Sequence, residues 1–249
     1  MPQSFFIWNG VDCRSKGVTM RGPAPIIRAE ERVSHTEIPG RSGDVTETEG
    51  ENIYNSYIQT VSISVRGGYR VRDIYKWLRG AGYVTFSGEP DKKQKARVIG
   101  AITLNRISRN MDRWAGEVQF YCQPYKELLH PQNVTITSSG STVRNNGDVD
   151  CKPRYRVTVA GSGSGKSVSI VVSGARMSTG NTIAVTGLTG GHTILIDSEI
   201  MEIWDETGQT PESITKQSTG EFPVLEMGNN TITGTGWSEI EINKMERYL

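Results

Sequence analysis

Hydrophobic and polar positions alternate along Trp114–Cys122: Trp114, Gly116, Val118, Phe120 and Cys122 face one way, Ala115, Glu117, Gln119 and Tyr121 the other. A period of two marks a strand with one buried face. Pro124 removes a ladder donor and fixes its own φ. The strand is therefore expected to end there, as the last of a folded unit, with the chain leaving through Pro124 toward Pro131. Tyr57–Val65 alternates too, with Tyr57, Val61, Ile63 and Val65 inward, and Val98–Leu104 is expected to bury Val98, Ile102 and Leu104 around Gly100. Between these strands Val71, Ile74, Tyr75 and Leu78 recur at helical spacing with Trp77 alongside, which predicts one short helix over Arg70–Arg79. Gly80 and Gly82 supply its stop. A single short helix cannot build a core, so it must pack on the sheet.

A second run of short strands follows from about Val134. Tyr155–Val159, Val168–Val172, Ile183–Val185, Thr193–Ile196, Met201–Trp204, Phe222–Leu225 and Ser238–Ile242 mostly alternate, with Gly-, Asn- and Asp-bearing turns between them. With no helical period among them, they predict a β-sandwich. The expected fold class is mainly β with one short helix. It comprises a sandwich-like or barrel-like module over residues 1–130 and a sandwich over residues 131–249. A chain of 249 residues is long enough for two such domains.

Composition narrows the chemistry. No apolar run is long enough to cross a bilayer as a helix, and the Phe5–Trp8 cluster is too short for a signal-peptide core, so synthesis and folding in a cytosol are expected. Cys13, Cys122 and Cys151 are odd in number, widely spaced and without a companion histidine cluster, so buried thiols are expected rather than disulfides or a metal site. Net charge is +5 over residues 1–130 and −4 over residues 131–249, too mild for a dedicated nucleic-acid binder.

Ala160–Ser167 (AGSGSGKS) imitates a phosphate loop, but the β-branched run Val168–Val172 follows where a helix would be required. A flexible hairpin tip is expected there. His35, His130 and His192 each stand apart from any nucleophile, so acyl transfer has no support. Asp197, Glu199, Glu202, Asp205 and Glu206 are expected on a solvated face opposite Ile196, Met201 and Ile203. Lys92, Lys93, Lys95 and Arg97 read as a charged strand edge. No catalytic residue, cofactor site or metal site is predicted.

His35–Tyr57 is different. It holds Pro39, Gly40, Gly43 and Gly50 with Glu37, Asp44, Glu47, Glu49 and Glu51, and has little apolar surface of its own. Two readings fit: an ordinary mobile loop, or an arm that orders only against a neighbouring subunit.

In order along the chain stand IPGRSG (Ile38–Gly43), DIYKWLRGAG (Asp73–Gly82), FSGEPD (Phe86–Asp91) and EVQFYCQPYK (Glu117–Lys126). NNGDVDCKP (Asn145–Pro153), ILID (Ile194–Asp197) and GEFPVLEMGNNTIT through the terminal ERYL (Gly220–Leu249) complete the series. This series resembles the distal tail proteins of long-tailed, non-contractile bacteriophages, over essentially the whole chain. The resemblance implies a virion protein of the tail tip, made in the host cytoplasm. It would form a homo-hexameric ring between the tail-tube protein and a tail-associated fibre or lysin protein, with DNA passing through the channel without specific binding. It further implies a galectin-like outer sandwich that supports receptor-binding or baseplate proteins, and a belt arm over Glu37–Tyr57. Glu37, Ile38, Pro39, Arg41, Asp44, Val45, Tyr54 and Tyr57 become the candidate interface residues. A third, inserted sugar-binding domain of larger relatives is missing. Two rivals are a carbohydrate-binding module, with Trp204, Trp237 and Tyr155 as candidate platforms, and the tail-tube protein itself.

Overall fold

The computed structural model describes residues 4–48, 50, 53–108, 110–177, 180–207 and 212–249. The fold is mainly β with one short α-helix. The chain divides into two units, Met1–Leu129 with Leu249, and His130–Tyr248.

The first unit holds β1 (Phe6–Trp8), β2 (Val11–Asp12), β3 (Val18–Met20), β4 (Val33–Thr36), β5 (Val45–Thr48) and β6 (Tyr57–Arg66). Helix α1 (Val71–Trp77), β7 (Ala81–Phe86), β8 (Lys92–Ile99), β9 (Leu104–Ser108) and β10 (Met111–Leu128) follow. The main sheet runs β2-β1-β7-β8-β10-β6-β3, all antiparallel, with β9 also paired to β10. Its inner face carries Phe6, Trp8, Val61, Ile63, Val118 and Phe120, and α1 lays Ile74 and Trp77 into the same core. Phe120 is the centre, with ring centroids 5.5 Å from Phe6, 5.5 Å from Trp8 and 5.8 Å from Phe86.

Several expectations for this unit change. β10 does not end at Pro124. It continues to Leu128 through a register shift between Cys122 and Lys126, and this bulge absorbs the missing proline donor. Val98–Leu104 is not one strand, because Gly100 takes φ +69° and turns the chain between β8 and β9. The Lys92–Arg97 run is no edge: β8 lies between β7 and β10, with Gln94 and Ala96 inward and Lys95 and Arg97 outward. Tyr75 is exposed on the outer side of α1, and Gly82 lies within β7, leaving Gly80 (φ +77°) to follow the helix.

In the second unit, β11 (Asn133–Ile136), β13 (Arg154–Val159), β16 (Thr193–Asp197), β17 (Glu202–Asp205), β18 (Glu212–Ser213) and β21 (Trp237–Asn243) form one sheet. β12 (Ser141–Asn145), β14 (Lys166–Ser173), β15 (Asn181–Leu188), β19 (Ser218–Gly220) and β20 (Gly228–Thr235) form the other. Tyr155, Val157, Ile194, Ile196 and Ile240 from the first sheet meet Ile170, Val172, Ile183, Val185 and Ile232 from the second. Alternation along each strand supplies the two inner faces of this sandwich. Phe222–Leu225 is not a strand; Leu225 makes only an isolated bridge with Cys151.

The Gly/Ser loop is not a hairpin tip. β13 and β14 belong to different sheets, so the loop crosses between them, with Gly190 N–H donating to Gly163 O at 2.8 Å. The next element, β14, is a strand, so no helix faces an anion there. Asp197 is buried rather than solvated, because it accepts from Arg154 Nε at 2.5 Å and from the Glu199 amide at 3.0 Å. Met201 is exposed at φ +56°, since the tight turn between β16 and β17 breaks the alternation. His192 does not stand alone: its Nδ1 lies 2.8 Å from Asp205 Oδ2.

Phe120→Ala should cost about 3–5 kcal/mol, the usual range for a fully buried phenylalanine. Chemical denaturation measures this; a loss below about 1 kcal/mol would remove Phe120 from the centre of the core.

Candidate functional site

The first unit leaves two surface features unabsorbed by its own core. One is the β4–β5 hairpin, paired from Val33 opposite Thr48 to Thr36 opposite Val45. Its residues are exposed except for half-buried Val33 and Val45. A two-stranded ribbon with no covered apolar face is marginal alone. Glu37–Asp44 forms the tip, where Gly40 (φ +84°) and Gly43 (φ +82°) turn the chain and Arg41 N–H donates to Ile38 O at 3.1 Å.

The root of this arm is firmly moored. Asn55 N–H donates to Glu30 O at 2.7 Å and Arg32 N–H to Ile53 O at 2.9 Å, with a bridge between Glu31 and Tyr54. The Tyr54 ring meets Tyr125 edge-on at 6.0 Å. The approach segment is tied to the sheet by Gln59 Nε2 donating to Pro25 O at 3.0 Å and by Lys126 Nζ donating to Ile27 O at 3.3 Å. Lys126 is buried and paired with Glu89 at 2.6 Å, which in turn meets Lys92 at 3.0 Å. A buried ammonium needs such a partner.

The candidate residues separate accordingly. Glu37, Ile38, Pro39, Arg41 and Asp44 lie in the tip, Val45 on β5 and Tyr54 at the root. Tyr57 lies inside the main sheet, where its hydroxyl donates to Gln94 Oε1 at 3.0 Å and burial pushes its pKa up to about 12. Glu49, Glu51 and Asn52 of the proposed belt lie outside the described residues. Sequence reading missed both strands of the hairpin and its root, because neither Val33–Thr36 nor Val45–Thr48 carries an alternating apolar face to announce it.

The second feature is a groove beside α1, about 570 Å³ in volume, with Tyr69, Ile74 and Trp77 as apolar lining and Lys16, Arg70 and Lys76 around them. Gly17 makes room for Arg70, whose Nη1 would sit 2.1 Å from a Cβ there. Arg70 Nε also donates to Tyr69 Oη at 2.9 Å, which orients the guanidinium. Tyr69 is 75% exposed. Asp73 also lines the groove, while Arg72 on α1 and Arg79 just beyond it are exposed outside the lining. The signal was present in RVRDIYKWLR (Arg70–Arg79), where helical periodicity drew attention to the apolar positions alone.

Chemistry elsewhere is sparse. Among the described residues no three His, Cys, Asp or Glu side chains gather as metal ligands would. The three cysteines are buried and free, and burial raises Cys122 and Cys151 to a pKa of about 12. In the second unit Tyr155 is fully buried and Trp204 and Trp237 are half-buried, while Ile200, Met201 and Met227 are its large exposed hydrophobics. No described helix is long and apolar enough to cross a membrane.

No protein-family model and no curated protein sequence matches the chain. Solved structures do. The SPP1 Dit protein (gp 19.1), described as a paradigm of the hub adsorption apparatus in phages infecting Gram-positive bacteria, superposes with a TM-score of 0.79 over 99% of both chains at 18% identity. A chain of the phage P2 baseplate in its activated conformation superposes with a TM-score of 0.51, over 97% of this chain and 98% of that one, at 10% identity. The chain thus shares its fold, end to end, with Dit.

Glu89 sets a pH dependence at the arm's base. Burial would raise its pKa, but Lys126 and Lys92 outweigh burial and hold it below the ordinary value. Its contribution is complete above the unfolded value of about 4.3 and is lost as pH falls through the lower folded value. Urea midpoints should therefore fall as pH drops below about 4.3, and less steeply in Glu89→Gln. Parallel slopes for the two proteins would exclude this ion pair as the cause.

Proposed function

We propose that this protein is the distal tail hub of a long-tailed phage, a structural component of the virion rather than an enzyme. Six copies close into a ring between the tail tube and a tail-associated fibre or lysin protein. DNA passes through the opening without specific contacts, and the second unit supports receptor-binding or baseplate proteins.

The observation that carries this reading is likeness to Dit over 99% of both chains, which takes in both units. The exposed hairpin adds a physical argument. A subunit in a closed ring presents two unlike surfaces, and an arm without a core of its own supplies contact area on one of them. Its ordering entropy is offset only by the neighbour. A mild net charge suits a conduit, since a strongly basic wall would hold phosphates and slow passage. The half-buried placement of Trp204 and Trp237 favours the hub over a sugar-binding module, which needs exposed aromatic platforms.

Light scattering or native mass spectrometry of the full chain should give six times the chain mass. Deleting Gly43–Gly50 should reduce the assembly to smaller species while both units keep their thermal transitions. An unbounded polymer would identify a tail-tube subunit instead, and unchanged assembly size after the deletion would separate the arm from ring formation.

A further inference from the structure

We propose that the groove beside α1 is the receptor for the arm tip of a second copy of this chain. This rests on the ring reading and adds to it the surface on which the arm lands.

The two features complement each other in chemistry and layout. The tip offers Ile38, 43% exposed, together with Glu37, Asp44 and one cation, Arg41, with Glu47 further along β5. The groove offers an apolar lining of Tyr69, Ile74 and Trp77 with Lys16, Arg70 and Lys76 beside it. Glu37 and Asp44 outweigh Arg41 at the tip, and Lys16, Arg70 and Lys76 outweigh Asp73 in the groove, so an apolar residue on a net negative tip meets an apolar cleft of net positive charge. Among the described residues Lys16, Arg70, Arg72, Lys76 and Arg79 make no ion pair within the chain, which leaves their charge available. Arg72 and Lys76 lie four apart on the helix, a like-charge spacing that disfavours the isolated helix and that an arriving carboxylate would relieve. Tyrosine and arginine around a concave site are the residue types that anchor protein interfaces. The positive groove could instead attract nucleic-acid phosphate. The apolar lining, and the presence of exposed Ile38 beside Glu37 on the same chain, favour the arm.

The test joins the two sites covalently in the full chain. Ile38→Cys combined with Asp73→Cys, mildly oxidised, should give a ladder of disulfide-linked copies on a non-reducing gel, and neither single variant should do so. The buried native cysteines keep the background low. In parallel, a fluorescein-labelled peptide spanning Val33–Thr48 is titrated onto the chain. Arg70→Glu with Lys76→Glu should weaken its capture at least tenfold. Lys95→Glu with Arg97→Glu, an equal charge change on β8, should leave it unchanged.

Restored capture by the Arg70→Glu/Lys76→Glu chain of a peptide carrying Glu37→Lys and Glu47→Lys would confirm direct pairing. Rings by light scattering with neither ladder nor capture would overturn the docking site and keep the ring. Capture by a chain that stays monomeric would keep the docking site and remove the self-assembled ring. Binding of duplex DNA through Arg70 and Lys76, with no peptide capture, would overturn the proposal in favour of phosphate.

Discussion

The first unit depends on β10 pairing on both sides at once. Residues Gln119–Cys122 are bonded to β6 and β8 together, so Val118, Phe120 and Cys122 are held in the middle of a wide sheet. Phe6, Trp8 and Phe86 meet Phe120 directly, and Trp77 of α1 stacks on Phe6. The bulge at Pro124 follows from the same constraint. A proline inside a central strand has no ladder donor, and the register shift accommodates it without ending the strand. Beyond the shift Lys126 points inward, and its burial obliges Glu89 to accompany it. The chain entering the arm is tied down by this pair. A local backbone irregularity is therefore linked, through one buried cation, to the part of the surface that faces outward.

The arm and the α1 groove share a physical character: each has polar or apolar capacity that its own unit does not use. The hairpin has strands but no covered face. Among the described residues Arg72 and Lys76 of the helix make no ion pair, and an open cleft lies against Trp77 and Ile74. Such surfaces are costly to leave bare in a monomer, and the proposed hub assembly would cover them. Elsewhere the three cysteines are buried, His192 pairs with Asp205, and the Gly/Ser loop is hydrogen-bonded through Gly163 to Gly190.

The second unit is a sandwich in which several buried polar side chains are satisfied locally, while Tyr155 Oη, Ser198 Oγ and Glu226 Oε1 are buried without a hydrogen-bond partner. Asp197 accepts from Arg154 and from backbone amides of the turn that follows it, so a buried carboxylate closes that turn. Asn145 and Asn230 do similar work: Asn145 Nδ2 donates to Val149 O at 2.9 Å and Asn230 Nδ2 to Glu226 O at 2.8 Å. These side chains stand in for ladder bonds where the strands end.

Strand alternation and helical spacing were legible without coordinates. β6, β10, β13, β14, β16 and α1 follow from period alone, because a buried face must repeat every two or every three to four residues. The order of short motifs likewise pointed to the end-to-end fold that Dit shares. The tertiary structure decided what period cannot. β11, β12 and β20 emerged as strands because partners exist for them, and Phe222–Leu225 did not because none does. Lys92–Arg97 became an interior strand because β7 and β10 flank it. The basic groove arose only when Lys16 came to lie beside Arg70 and Lys76, distant in sequence and drawn together by the packing of α1 on the sheet. Periodicity is written residue by residue, whereas neighbours across a sheet and charges across a groove exist only once the chain has folded.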